Sequence, residues 1–282
     1  MTISAAMVRE LRDQTGAPMM DCKKALKATA GDFEGAIDHL RKSGLKKAEK
    51  KMGRSTSEGR VLAKVGNNGH VGAMVAIECE TDFVANTDDF GKMIEALCDH
   101  AAANSPKDAE AMNAQAWKGG GTVEDFVKTA VGKLGENIRL ASAVRMENTK
   151  GRVGAYIHHD NKQAALLSVT TEADAKKADE FIKSLGQHIV AIRPAALSAD
   201  EIPAERVERE REVLRETEDV LAKPENMREQ IVEGKIRKFF AENTLLSQPF
   251  VKDPSKNVQK ALEDTLGKGS KIEAFSLFRI GG

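Results

Sequence analysis

The side chains that could do chemistry are six histidines, three cysteines and two glycine-rich stretches. His39, His70, His100, His158, His159 and His188 contain no pair at the spacing that puts two ligands on one helix face. Adjacent His158 and His159 would point to opposite faces of a strand, so they read as a polar pair at a strand end. Cys22, Cys79 and Cys98 carry no metal-ligand spacing and read as small, reduced core hydrophobes. Gly119-Gly120-Gly121 lacks the following Lys-Ser or Lys-Thr of a phosphate cradle, and in Gly267-Lys268-Gly269-Ser270 the lysine is followed by glycine. There is no Gly-x-Ser-x-Gly, and carboxylates fall in helical charge patterns. No catalytic residue, metal or cofactor is expected, and the chain does not read as an enzyme.

The chemistry that remains is contact chemistry, and it centres on Thr81-Asp82-Phe83-Val84. The apolar run Val71 to Ile77 reads as a buried strand, and Asn86-Thr87-Asp88-Asp89 offers cap residues for a helix with Phe90, Met93, Ile94 and Leu97 on one face. Phe83, with an acid beside it, therefore sits where a strand hands over to a helix. It either caps the local core or reaches a partner. Residues 59–82 align without a gap on residues 151–174, and this internal repeat bears on that choice. Gly59-Arg60-Val61 matches Gly151-Arg152-Val153, Ala63 matches Ala155, Glu80 matches Glu172 and Asp82 matches Asp174. Each copy reads strand, polar turn, strand, helix, with turns at Asn67-Asn68-Gly69 and His159-Asp160-Asn161. What both copies keep is expected to be scaffold. Copy two reads Ala173-Asp174-Ala175-Lys176, so the substructure forms without the aromatic, and contact is the better role for Phe83.

These elements sit in a chain of 282 residues, enough for two or three modules. Lys plus Arg equals Asp plus Glu at 43 each, so no global positive field draws nucleic acid or an anionic membrane. Aromatics at 4% argue against a base-stacking surface. No apolar run approaches the roughly 20 residues that cross a bilayer, and the N-terminus enters helix at once, so a cytoplasmic protein is expected.

The fold class expected is α+β. Residues 1–45 read as a three-helix module, with Ser4 and Asp32 as caps, Pro18 opening the second helix, and Met19-Met20 either core or contact. Residues 46–58, basic then polar, read as a linker rather than an RNA-binding patch. Residues 59–147 and 148–198 are the two duplicated subdomains with antiparallel sheets. In the first, Thr122 caps a helix through Val131, and Gly132 to Asn137 form a turn before a strand from Ile138 to Val144. Residues 199–246 form a protruding antiparallel helical hairpin in which Val207, Leu214 and Leu221 recur every seven residues. It reads as a contact arm or a homodimer contact, or as simple intramolecular packing. Residues 247–282 supply a helix and a last strand that complete the second subdomain.

Three motifs, Thr15-Gly16-Ala17-Pro18-Met19-Met20-Asp21-Cys22-Lys23-Lys24-Ala25-Leu26, Thr81-Asp82-Phe83-Val84-Ala85 and Gln248-Pro249-Phe250-Val251, together resemble the elongation factor Ts family. The resemblance covers nearly the whole chain in order. It implies a ubiquitin-associated-like head, a duplicated core, a coiled-coil hairpin, and guanine-nucleotide exchange on elongation factor Tu in its GDP-bound and nucleotide-free forms, with no direct nucleotide contact. It implies that Asp82 and Phe83, flanked by Thr81 and Val84, intrude into the partner's G domain. Arg12, Met19 and Met20 would meet that domain from the head, Leu134, Gly135 and Glu136 would approach its phosphate loop, and His158 would meet another domain. His159-Asp160 departs from the small, basic residues that follow this histidine in the family. The reading from a different class is a polypeptide- or ribosome-docking module.

Overall fold

The computed structural model describes residues 3–281. The head is three helices. α1 (Ala5–Thr15) starts at Ser4, whose hydroxyl accepts the Met7 N–H, and ends at Gly16 in the left-handed region (φ 65°). α2 (Met19–Ala28) follows Pro18, and α3 (Phe33–Glu49) is capped by Asp32. Val8, Leu11, Cys22, Ala25, Leu26 and Ala36 form the head's small core. α3 runs four residues past the predicted boundary at 45, so the basic Lys46-Lys47 pair is helix and not linker. The charge run hid a packing residue: Ala48 is buried in the core of the next subdomain, while Lys47 pairs with Asp21 at 2.5 Å.

The first subdomain is a sheet of β1 (Glu58–Gly66), β2 (Val71–Cys79) and β3 (Ile138–Glu147), antiparallel with β2 in the centre. The single turn α4 (Asp82–Ala85), α5 (Asp88–Asn104), α6 (Ala109–Ala114) and α7 (Val123–Leu134) lie between β2 and β3. β2 is buried along almost its whole length, the expected state of a continuous apolar strand with helices on one face and a second sheet on the other. Phe90, Ile94, Leu97 and Cys98 of α5 cover the inner face together with Val123, Val127 and Val131 of α7.

Helix α7 corrects one expectation. Thr122 and Asp125 form a capping box at its start, but the helix passes through Gly132 and stops at Gly135 (φ 83°). Gly132 is instead a close-approach residue. A Cβ there would lie 2.8 Å from the Gly44 Cα of α3, so its lack of a side chain lets the head dock on the body.

The second subdomain repeats the plan with β4 (Gly151–Ile157), β5 (Gln163–Thr170) and α8 (Ala175–Ile192), after which the chain leaves for the hairpin. α9 (Ala204–Arg215) and the single turn α10 (Glu218–Leu221) form one arm, and α11 (Glu225–Asn243) returns. The arms pack on each other through Val220, Val232 and Ile236, with Val207 and Leu214 partly covered. Leu221, predicted on this stripe, is exposed. The helix breaks between α9 and α10 at Glu216–Thr217, which rotates the phase and hands the buried position to Val220.

After the hairpin come a two-stranded ribbon of β6 (Pro249–Phe250) and β7 (Asp253–Asn257), α12 (Val258–Leu266) and β8 (Lys271–Arg279). β8 pairs with β5, giving a second sheet in the order β4-β5-β8. The duplication therefore extends beyond the sequence match to a third strand. It extends to irregularity as well: the register of the central strand shifts between Ala76 and Ile77 in one copy and at the equivalent Ser168 and Val169 in the other. The two sheets face each other across Val61, Met74 and Ala76 on one side and Val153, Ala164, Leu166 and Ile280 on the other. Mixed helix and sheet with antiparallel strands is the α+β class expected.

All three cysteines are buried. Loss of hydration pushes the Cys79 thiol up to about 12, with the Glu136 charge adding to it, and pushes Cys98 up to about 11. Reactivity needs thiolate. At pH 8 a colorimetric disulfide reagent is therefore expected to leave the native protein unmodified over minutes and to titrate all three thiols in denaturant; rapid native labelling would contradict the packing.

Candidate functional site

At the end of β2 the chain does not pass straight into the long helix. Thr81 is extended (φ −130°, ψ 153°) and caps α4, its hydroxyl accepting the Val84 N–H at 3.3 Å. Asn86 closes the turn by donating its side-chain amide to the Asp82 carbonyl at 2.9 Å, and Thr87 then caps α5. The apolar residues of α4 divide sharply. Ala85 is buried and Val84 packs against the subdomain core, while Phe83 is 82% exposed, more than any other large apolar side chain among the described residues. Leaving a phenylalanine in water forgoes roughly 1.5–3 kcal/mol of burial. The ring has an apolar core next to it and does not enter it, so the core-cap role is not the one it takes.

The second copy clarifies how this is made. There Asp174 caps α8 directly, accepting the Lys177 N–H at 3.0 Å, with no intervening turn. Asp82, its sequence match, caps nothing and stands exposed in the first turn of α4. A shared identity at this position is not a shared role.

Thr81 is anchored from across the subdomain. Its N–H donates to Glu136 Oε2 at 2.9 Å and its hydroxyl to Glu136 Oε1 at 2.5 Å. The structure thus brings Leu134, Gly135 and Glu136 beside the Thr81–Val84 turn. The contact runs the other way too: Glu80 Oε1 accepts the Asn137 N–H at 2.6 Å, which with the nearby Arg54 guanidinium holds the Glu80 carboxyl below the usual range. Lys51 Nζ donates to the Gly135 carbonyl and so caps the C-terminal end of α7.

Of the head residues, Met20 is 61% and Met19 41% exposed, and Arg12 is exposed at the end of α1. Neither methionine is core. Gly16, between them and Arg12, lies against Lys133 of α7, where a Cβ would sit 2.4 Å from the lysine Cε. The head thereby abuts the last turn of the helix that leads into Glu136. A cleft of about 630 Å³ separates the two bodies on this side, lined by Pro18, Ile37 and Leu40 of the head and Met93, Trp117 and Phe126 of the subdomain.

His158 is not part of this cluster. It sits beyond β4 in the second subdomain, at a separate hollow of about 410 Å³ with Tyr156, Gln163, Arg193 and Val251. His158 and His159 do not take opposite strand faces: the strand ends at Ile157, the chain turns, and the two rings lie 4.3 Å apart. Among the described residues no group of three or more His, Cys, Asp or Glu is placed to hold a metal.

Comparison with known proteins matches residues 80–282 to the family model Elongation factor TS. Over the whole chain, curated relatives named Elongation factor Ts are 40% identical in Methylococcus capsulatus, covering 93% of that protein. The figures for the Aquifex aeolicus relative are 37% and 99%. The chain belongs to the elongation factor Ts family. It is a translation elongation factor, and the family's partner is elongation factor Tu.

Within this elongation factor Ts fold, the Gln248-Pro249-Phe250-Val251 motif is structural. Gln248 Oε1 accepts from Nε2 of His188, and His188 Nδ1 accepts the Val251 N–H at 3.2 Å. Both ring nitrogens are therefore occupied in the neutral form. Sequence reading missed this histidine; the signal was its place on the inward face of α8 with Phe181 and Leu185. Burial pushes its pKa below 6.5. An unfolded chain takes up this proton near 6.5 and the folded one resists it. The contribution to stability is full above that pH and is lost as pH falls from there toward the depressed folded value. Urea midpoints at pH 7.5 and 5.5 are expected to fall with acid in the native protein, and less so in His188→Gln.

Proposed function

We propose that this chain is the guanine-nucleotide exchange factor of an elongation factor Tu. It binds the GDP form, inserts the Asp82-Phe83 turn into the G domain, perturbs the magnesium and phosphate site, and promotes GDP release during elongation. The observation that supports this most is the exposure of Phe83 on a braced turn.

The physics requires no covalent step and no contact with the nucleotide, and on this reading the protein is not an enzyme in the bond-making sense. A conformational equilibrium shifts only by a ligand's differential affinity for its states. The chain must therefore bind the nucleotide-free form more tightly than the GDP form, and GDP must weaken its binding by the same factor that it weakens GDP binding. Coupling of this kind is typically about 1–3 kcal/mol, which is the range that burial of one phenylalanine supplies, roughly 1.5–3 kcal/mol. Arg12, Met19 and Met20 on the head and His158 on the second subdomain add affinity at either side of the wedge. The work is cytoplasmic on this reading; no helix among the described residues is long and apolar enough to cross a membrane.

The test is release of fluorescently labelled GDP from cognate elongation factor Tu, chased with unlabelled GDP. Acceleration that saturates with the concentration of this protein is expected. Binding to polypeptide or ribosome with no effect on release would favour the docking-module reading instead.

A further inference from the structure

α4 is four residues long, and an isolated turn of that length does not persist in water. Something else must hold Phe83 at a fixed angle. Two carboxylates cross between the exit of β2 and the turn before β3, in opposite directions: Glu136 reaches Thr81 while Glu80 reaches Asn137. Asn137 is buried, and its side-chain amide donates to the Arg54 carbonyl at 2.8 Å, which ties the same crossing to the segment that leads out of the head. Both oxygens of Glu136 are directed at one residue, and charge-assisted bonds of this kind are the stronger class.

In the second copy the same two places are joined by hydroxyls, Thr171 Oγ1 lying 2.9 Å from Ser270 Oγ, and among the described residues no carboxylate crosses there. The residue equivalent to Thr81 is Ala173, which has no hydroxyl and whose N–H goes to its neighbour Thr171 at 3.1 Å. The carboxylate brace is found in the copy that carries the exposed aromatic, and the other copy has the hydroxyl link in its place.

We propose that Glu136 is a positioning residue for Phe83, acting through Thr81 rather than by touching the partner itself. This deepens the exchange-factor reading and rests on it. The carboxylate fixes the cap of α4, the cap fixes the turn, and the turn sets the direction of the ring. Without the brace the ring still exists but samples many directions, so the partner is met but its nucleotide site is opened less often. The loss falls on the maximal rate of GDP release more than on the concentration of half-saturation.

A mutant cycle in the GDP-release assay separates this from a direct contact. Glu136→Ala is expected to lower the maximal rate about tenfold. In a Phe83→Ala background the same change adds less than about twofold, because no ring remains to position. Glu136→Gln keeps an acceptor for the Thr81 N–H and a polar partner for its hydroxyl, and is expected to recover most of the rate. Thermal melting checks that each variant folds; if Glu136→Ala does not, Thr81→Val removes the hydroxyl half of the brace, and with it the cap of α4, from the other side. Multiplicative losses in the cycle, or a Gln variant as poor as Ala, would overturn the positioning role while leaving the wedge intact. A Phe83→Ala variant with native release would overturn both.

Discussion

Phe83→Ala is expected to lower the maximal rate of GDP release from elongation factor Tu by about 10- to 150-fold, the factor that corresponds to roughly 1.5–3 kcal/mol of lost burial. The protein itself should not notice. The ring lies 82% exposed and contributes almost nothing to its own subdomain, so melting temperature is expected to stay within a degree or two of native. Val84→Ala or Ala85→Ser, by contrast, would act on the core side of the same turn. A drop in melting temperature of several degrees for Phe83→Ala would mean that the ring spends its time packed against its own core.

Gly59→Ala is expected to have the largest effect on stability. Gly59 stands at φ 145°, and a Cβ there would lie 2.1 Å from the Ile77 carbonyl oxygen and 2.8 Å from the Glu78 Cα. Those are backbone atoms of the central strand, which cannot retreat as a flexible side chain could. Strain at such a φ costs about 1–3 kcal/mol, and overpacking adds about 1–3 kcal/mol. The loss is about 2–6 kcal/mol, a fall of roughly 10 °C in the transition of a chain this size. Gly59 pairs with Glu78, three residues before Thr81, so exchange is expected to weaken as well. Calorimetry that finds the variant as stable as native would contradict this geometry. Gly151 occupies the equivalent place against the Val169 carbonyl in the other copy, also at 2.1 Å, which shows why the repeat keeps a glycine at both starts.

Much of this was legible because it is local. The cap at Thr122 and the apolar run of β2 each announce themselves within a few residues. The gapless repeat gave more, since it isolated Phe83 as the feature that only one copy has. What stayed hidden depends on partners distant in the chain. Gly132 looked like a helix stop because the neighbour that explains it, Gly44, belongs to another module. Lys46-Lys47 looked solvated because a single buried Ala48 makes no periodic signal. Glu136 and Thr81 lie 55 residues apart, and nothing in either segment names the other.

The central claim is that an exposed ring converts binding into nucleotide release, and linkage measures this directly. Calorimetric titration of nucleotide-free and GDP-loaded elongation factor Tu with this protein gives the factor by which GDP opposes its binding. That factor is expected to be large for the native chain and to shrink by about tenfold or more in Phe83→Ala, with affinity for the GDP-loaded form little changed. The same factor in both proteins would contradict the account.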